Sequence, residues 1–405
     1  MTSAVRTSGR EALPPPTERY TLLGWLQKNL FSNWWNSLLT LVSLAFLVVV
    51  LRPLLNWVFV SAEWAVIPAN FNLIMRGQYP AEQAWRLWVV LYLLGATVGF
   101  SWGVISKEIQ TALIVVFLTP LILMLVPFFS WGTRLNLLIV EIAGLVAYAV
   151  GRRVPSHHVR YAVYALTAFV VVMLVLLRGF TGETGFLPDV PTTLWGGLLL
   201  SLLLAFFGIL LSFPIGVLLA LGRQSKMPGI RAVSVVYIEF IRGVPLISLL
   251  FMAQVMLQLF LPEGFPPIDR VLRALAAIVF FSAAYTAENV RGGLQSIPKG
   301  QYEAAQAMGL NGYQTMVYII LPQALRAVIP VLVGQFIGLF KDTSLVALVG
   351  LFDLLGIARV ILANPDWLGT QQEVYLFIAL LYWIFSYLMS YASRRLEVQL
   401  GVGIR

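Results

Sequence analysis

The chain is laid out as long apolar runs divided by short polar breaks. A helix crossing a bilayer needs about 20 predominantly apolar residues. Ten runs approach that length: 36–60, 87–104, 111–129, 135–151 and 160–178 in the first half, then 194–221, 233–260, 271–290, 318–340 and 373–393. The pattern predicts an all-α integral membrane protein of about ten transmembrane helices. Residues 1–35, with Pro14-Pro15-Pro16, read as a polar leader with no cleavable signal, and 398–405 as a tail. Ser61 to Arg86 carries Trp64, Phe71, Tyr79 and Trp85 and is expected to rest at a membrane–water interface, where aromatic rings prefer to sit. Gly179 to Pro191, rich in Gly and Pro, divides an accessory half (36–191) from a second half (192–397). No repeat relates the halves, so an inverted-repeat carrier is not supported.

One break is unlike the others. Residues 301–312, Gln-Tyr-Glu-Ala-Ala-Gln-Ala-Met-Gly-Leu-Asn-Gly, are too polar for lipid yet hold a run of good helix formers from Glu303 to Met308. Gly309 supplies a left-handed stop. Asn311 is placed to cap a second helix from Tyr313 to Ile320, beyond which Pro322 disturbs the backbone.

Charge fixes the expected orientation. Placing the N-terminus inside puts 18 of the 27 Lys and Arg residues on inner segments or span ends, among them Arg152, Arg153, Arg160, Arg223, Arg242, Arg291, Lys299, Arg394 and Arg395. Both termini and the 301–312 stretch then lie in the cytoplasm. The net charge of +9 is read as basic loops beside anionic lipid, not as a nucleic-acid surface. Only 11% of residues are charged, mean hydropathy is +0.85, and there is no cysteine, hence no thiolate metal site or disulfide.

The 301–312 spacing (Glu-Ala-Ala, three residues, Gly, nine residues, Ile319, one residue, Leu321-Pro322) resembles the cytoplasmic signature of bacterial ATP-driven (ABC) importer permeases. Three further stretches resemble the polar-amino-acid branch of that family: Glu239 to Leu246, Tyr285 to Ile297, and Lys341-Asp342-Thr343-Ser344-Leu345. The long first half is similar to the larger permease of general L-amino-acid importers. The resemblance implies a type I five-helix core over roughly 192–397, with an accessory five-helix half before it. It also implies a coupling helix near 299–312 that docks on a separate ATP-hydrolysing subunit, a second permease, and a periplasmic amino-acid-binding protein. The expected location is the bacterial inner membrane.

No phosphate-cradling Gly-x-x-x-x-Gly-Lys-Ser/Thr loop occurs, so ATP and Mg²⁺ are expected on a partner, with no cofactor on this chain. No His-Glu-x-x-His, nucleophile elbow or carboxylate cluster points to an enzyme. Glu303 is the expected ATPase contact, since a carboxylate near a helix start favours the helix and accepts paired bonds from a partner arginine. Ala304 and Ala305 give a small packing face and Gly309 the turn.

For the solute path, Lys341, Asp342, Thr343 and Ser344 sit between two apolar runs and predict a broken or re-entrant passage. Lys341 and Asp342 read either as partners for a zwitterion or as an internal ion pair. Adjacent helix residues point about 100° apart, so both face one ligand only if the helix is interrupted. Arg242 reads as an inner-gate residue or a snorkelling arginine beside a Gly243/Pro245 kink. Glu288 and Arg291, three apart, predict an ion pair, and Gln335 is a weaker cavity candidate. Glu141, inside the fourth run, is expected to pair with another accessory helix. His157 and His158 read as surface residues, and Trp34, Trp35, Trp57, Trp64, Trp85 and Trp88 as bilayer anchors. Two other functions remain open at this level: an ion-coupled secondary transporter, or a structural subunit without a pathway.

Overall fold

The apolar runs are helices in a computed structural model that describes residues 21–105, 118–155, 158–182, 185–262, 264 and 266–399. Among the described residues no strand forms. Eight helical segments are long and apolar enough to cross a membrane, and a bent pair makes a ninth. Nine of the ten expected crossings are accounted for; of the remaining one, 111–129, the described part begins at 118 and is helical only to 123, with turns beyond.

The described residues fall into two compact units that divide at Trp64/Ala65. The first holds α1 (Leu22–Asn29) and α2 (Trp34–Asn56), the latter started by the Asn33 side chain accepting from Asn36 N at 2.8 Å. A wider π turn, Trp57–Ser61, ends it, and Trp64 Nε1 donates to Val58 O.

The second unit begins with α3 (Val66–Arg76), followed by α4 (Trp85–Ile105), α5 (Trp131–Arg153) and α6 (Arg160–Arg178). Lipid is as apolar as leucine, so membrane helices associate through close packing more than through water exclusion. Helices α4 and α5 follow that rule. A Cβ on Gly99 would lie 2.1 Å from Gly144 O, one on Gly95 2.9 Å from Val140 O, and one on Gly103 2.5 Å from Tyr148 O. Glycine at every fourth position lets the two backbones touch.

The remaining crossings are α7 (Gly197–Arg223), the bent pair α8 (Pro228–Gly243) and α9 (Leu246–Phe251, helical on to Leu259), α10 (Arg270–Ser296), α12 (Leu321–Asp342) and α14 (Gln371–Gln399). Between them lie two short helices at opposite ends, α11 (Lys299–Ala307) and α13 (Leu354–Leu362). α10 is the most enclosed crossing: its Ala274, Ala277, Ala283, Ala284 and Ala287 are buried against α7 and α12. Two apolar clusters hold this half together. One joins Leu200, Leu204, Leu250, Ile278 and Phe340 toward the α13 end; the other joins Ala220, Ile238, Val290, Ile320 and Ala324 toward the α11 end.

Ser61–Arg86 does not simply rest at an interface, as its aromatics predict. From residue 65 on it turns into the molecule. α3 buries Val66, Ile67 and Ile74 and packs on α7, α13 and α14. Tyr79 is 2% exposed with its hydroxyl donating to Leu177 O, and Arg86 is fully buried, donating to Pro188 O at 2.9 Å. The reason is sequence spacing of a second kind: Val66, Ile67 and Ile74 share one face of a helix and need an apolar surface. Gly77 then crosses Gly196 and Gly197, with no room for a Cβ at Gly77 (2.4 Å to Gly196 Cα) or at Gly197 (2.1 Å to Ile74 O). Accordingly the stretch 65–191, read as accessory, shares one compact unit with the second half.

Candidate functional site

The 299–312 stretch forms a surface helix. Pro298 precedes α11, and Gly309 ends it with φ +77° in a double-bonded cap: Gly309 N–H donates to Gln306 O, and Leu310 N–H to Ala305 O. Asn311 caps the next turn with its side chain accepting from Gln314 N, and the Gln314 side chain answers to Asn311 N. The second helix does not stop at Ile320. A π turn over Thr315–Ile320 widens the backbone immediately before Pro322, which has no N–H to give, and the helix continues into α12.

α11 is anchored on one side only. Tyr302 packs on the cluster of Leu294, Ile320 and Ala324, Ala305, three residues on, is buried, and Gln323 bonds Gln301 at 3.1 Å. Glu303, Ala304 and Met308 are exposed, Met308 at 82%. The two alanines therefore divide: Ala304 faces outward, and Ala305, 5% exposed, seats the helix on its own chain. No ion pair reaches Glu303 among the described residues.

At the same end, three helices bring five charges together. Glu288 of α10 pairs with Arg291, whose Nε donates at 3.0 Å and whose Nη2 lies closer still. Arg223 at the end of α7 approaches Glu288 at 3.7 Å and donates to Glu239 of α8 at 2.7 Å. Arg242, in the last turn of α8, lies 3.7 Å from Glu288 with its guanidinium 5.6 Å over the Tyr285 ring. Spacing predicted the Glu288–Arg291 pair. It did not predict the link to Arg223, whose only sequence signal was a charge just past an apolar run, or to Glu239, which the sequence marked only as the start of a family-like stretch. Beyond Arg242 the chain turns by 105°, so Gly243-Val244-Pro245 is a sharp break.

The less buried face of α10 reads Phe281, Tyr285, Glu288 and Asn289, the i, i+4, i+7, i+8 stripe of one helical side. Asn289 Nδ2 donates to Gln335 Oε1 at 2.6 Å, and Gln335 Nε2 reaches Thr286 Oγ1 at 2.9 Å and Ser282 O at 2.9 Å. Gln335 is thus a polar fastener between α10 and α12, beside the charge cluster.

Lys341 to Ser344 stand elsewhere. They begin six residues beyond Gln335, about 9 Å further along at 1.5 Å per residue. α12 ends at Asp342, a 3₁₀ stretch Thr343–Val349 follows, and Gly350 turns the chain in the left-handed region. The break predicted here is present, and α13 beyond it, nine residues long, is too short to cross. Thr343 is buried and donates to Phe340 O at 2.7 Å. Lys341 is exposed and Asp342 half-buried, and neither is in an ion pair among the described residues. Behind the break is a carboxylate that spacing did not single out. Asp353, fully buried, caps α13 through Gly356 N (2.9 Å) and Leu355 N (3.2 Å) and accepts from Tyr382 Oη at 3.3 Å. Burial pushes its carboxyl up to about 6.

Glu141 is 6% exposed on α5, but no ion pair reaches it among the described residues, where an interhelical pairing was expected. His158 stacks on Tyr161 at 5.4 Å; His157 lies outside the described residues.

A many-span helical protein with a one-sidedly anchored helix at one end, a polar break at the other and ionic contacts between span ends is built as a transport subunit. Residues 212–400 match the family described as "Binding-protein-dependent transport system inner membrane component". The chain is 40% identical over 395 residues to the inner membrane amino-acid ABC transporter permease protein YhdY of Escherichia coli (strain K12), covering 94% of this chain and 93% of that protein. It is 37% identical over 437 residues, 98% of each, to the glutamate/glutamine/aspartate/asparagine transport system permease protein BztC of Rhodobacter capsulatus. The probable glutamine ABC transporter permease protein GlnP of Bacillus subtilis (strain 168) is 38% identical but aligns with 51% of this chain and 93% of its own. A solved amino acid ABC transporter chain shares 31% identity and a TM-score of 0.45, over 50% of this chain and 92% of that one.

The chain belongs to the inner-membrane permeases of amino-acid ABC importers. It is the membrane-embedded, non-enzymatic part of such an importer, and ATP is hydrolysed in a separate subunit. Membership implies an ATP-binding subunit, a solute-binding protein and a paired permease.

Proposed function

We propose that this chain is the larger of two unlike permeases in an importer of polar amino acids, with glutamate, glutamine, aspartate and asparagine as the first candidates. The proposal rests on the match along 98% of its length to BztC, whose name carries those four solutes. Both termini and α11 lie on the cytoplasmic side, which the distribution of Lys and Arg supports. Two ATP-binding subunits, each holding ATP and Mg²⁺, sit below the pair, and a periplasmic amino-acid-binding protein delivers solute above it.

The observation that carries the coupling role is the seating of α11. Tyr302 packs against the ends of α10 and α12 and Ala305 is buried beside it, so a push on the exposed side, where Glu303, Ala304 and Met308 lie, is passed to the crossings behind. Gly309 sets the sharp end of that lever. The solute path follows the α10 stripe, with Arg242, Glu288 and Gln335 on one level and Lys341, Asp342, Thr343 and Ser344 at the far break.

Proteoliposomes holding the permease pair and the ATP-binding subunits test this reading. Uptake of L-glutamate or L-glutamine that needs internal or external ATP on the α11 side is expected. Uptake driven by an ion gradient without ATP would overturn it. A cysteine at position 303 should cross-link to the ATP-binding subunit.

A further inference from the structure

The three arginines at the α11 end are not equally satisfied. Arg291 spends two nitrogens on Glu288, and Arg223 makes a 2.7 Å bond to Glu239. Among the described residues Arg242 has no hydrogen bond of its own: its nearest carboxylate oxygen is 3.7 Å away, beyond bonding range, and its Nε is buried without a partner there. A guanidinium offers five donors in a planar fork that fits a carboxylate, and idle buried donors are costly. The cluster also holds three arginines against two glutamates, one positive charge in excess.

Its setting adds a second argument. Glu288 lies eight residues inside the end of α10, about 12 Å along the helix. Charged side chains at membrane depth face a bundle interior or a water-filled cavity, not lipid. Those of Arg223, Arg242, Glu288 and Arg291 are 22–33% exposed, so one side of the cluster is open. Tyr285 lies beneath the Arg242 guanidinium and leaves its donor edge to be filled.

We propose that Arg242 is the docking point for the carboxylate of the transported amino acid, taken in exchange for its long contact with Glu288. Glu288 keeps Arg291 and Arg223 when Arg242 turns to the solute, so the exchange strands no charge. Lys341 and Asp342 are less suited to that step, being adjacent on one helix end and so directed apart. This rests on the reading above, in which the α10 stripe lines the path.

The test uses the assembled complex with its partner permease and ATP-binding subunits in nanodiscs, without the binding protein, and radiolabelled L-glutamate and L-glutamine as probes. Arg242→Gln should weaken binding about tenfold or more, the worth of one charge-assisted contact. Arg242→Lys should lose part of that, since a point charge lacks the fork. Glu288→Gln, which removes the competitor, should bind the probes more tightly than wild type. L-glutaminamide, lacking the α-carboxylate, should not compete. A purely structural ion pair predicts the opposite sign for Glu288→Gln, and weaker binding there overturns the proposal. So does wild-type affinity in Arg242→Gln, or wild-type binding of neither probe; if that variant does not assemble, the Lys and Glu288 variants decide. Wild-type, ATP-driven uptake together with unchanged binding in Arg242→Gln would sink this inference alone, whereas absence of ATP-driven uptake in wild type would sink the functional reading beneath it.

Discussion

At the scale of single residues, the sharpest local dependence belongs to Asp353. Its folded carboxyl titrates near 6, against an ordinary value of 3.8. The fold therefore favours the protonated acid. Stability is highest below about pH 4, where both states are protonated, and falls as pH rises through about 6, by roughly 3 kcal/mol for a shift of this size. Asp353→Asn keeps a capping side chain but has nothing to titrate. Its melting temperature in detergent should stay flat between pH 4.5 and 7.5 while that of wild type declines. Gly99 is a second such point. With 2.1 Å between a new Cβ and Gly144 O, Gly99→Leu forces α4 and α5 apart. A loss of about 1–3 kcal/mol, typical of overpacking, is expected, read as earlier thermal unfolding. The Gly95, Gly99, Gly103 spacing was visible in the sequence, but a membrane span tolerates glycine for many reasons, and only the facing Gly144 and Gly151 give it a meaning. Glu288 and Arg291 were legible because the pair is local; Arg223 and Glu239 arrive from other helices, which no spacing encodes.

Among the elements, α11 was the most legible and the segment after α2 the least. The 299–312 stretch announced its helix formers, its Gly309 stop and its Asn311 cap, all local signals, and each has the predicted backbone role. Which alanine faces inward was not readable, since it depends on where Leu294 and Ile320 come to lie. Tyr302 is the larger half of that seat. Tyr302→Ala should leave the protein in the membrane but loosen α11, so that ATP hydrolysis by the complex continues while uptake per ATP falls several-fold. A ratio equal to wild type would show that the seat transmits nothing. Ser61–Arg86 was legible only in part: its rings match the profile of an interfacial stretch, but they do not reveal that the apolar face of Val66, Ile67 and Ile74 packs on three other helices.

For the whole molecule, nine of the crossings could be placed from apolar run length alone, because lipid imposes that length whatever the packing. What run length could not supply is grouping. The sequence divides at the Gly- and Pro-rich stretch 179–191, but compactness divides the chain at Trp64/Ala65. The assembled machine gives the broadest test. Glu303→Arg reverses the charge on the exposed side of α11 and should abolish ATP-driven uptake, by tenfold or more, with normal amounts of protein in the membrane. Uptake at the wild-type rate would remove Glu303 from the coupling contact.

The crossing of Gly77 over Gly196 and Gly197 bears on how a long permease of this kind could be built from parts. Main chain meets main chain there, with a side chain tolerated on neither partner. The helices before that point and the bare backbone that receives them are therefore a matched set, and grafting residues 65–191 onto a short permease should fail to pack unless the glycines on both sides of the crossing travel with them.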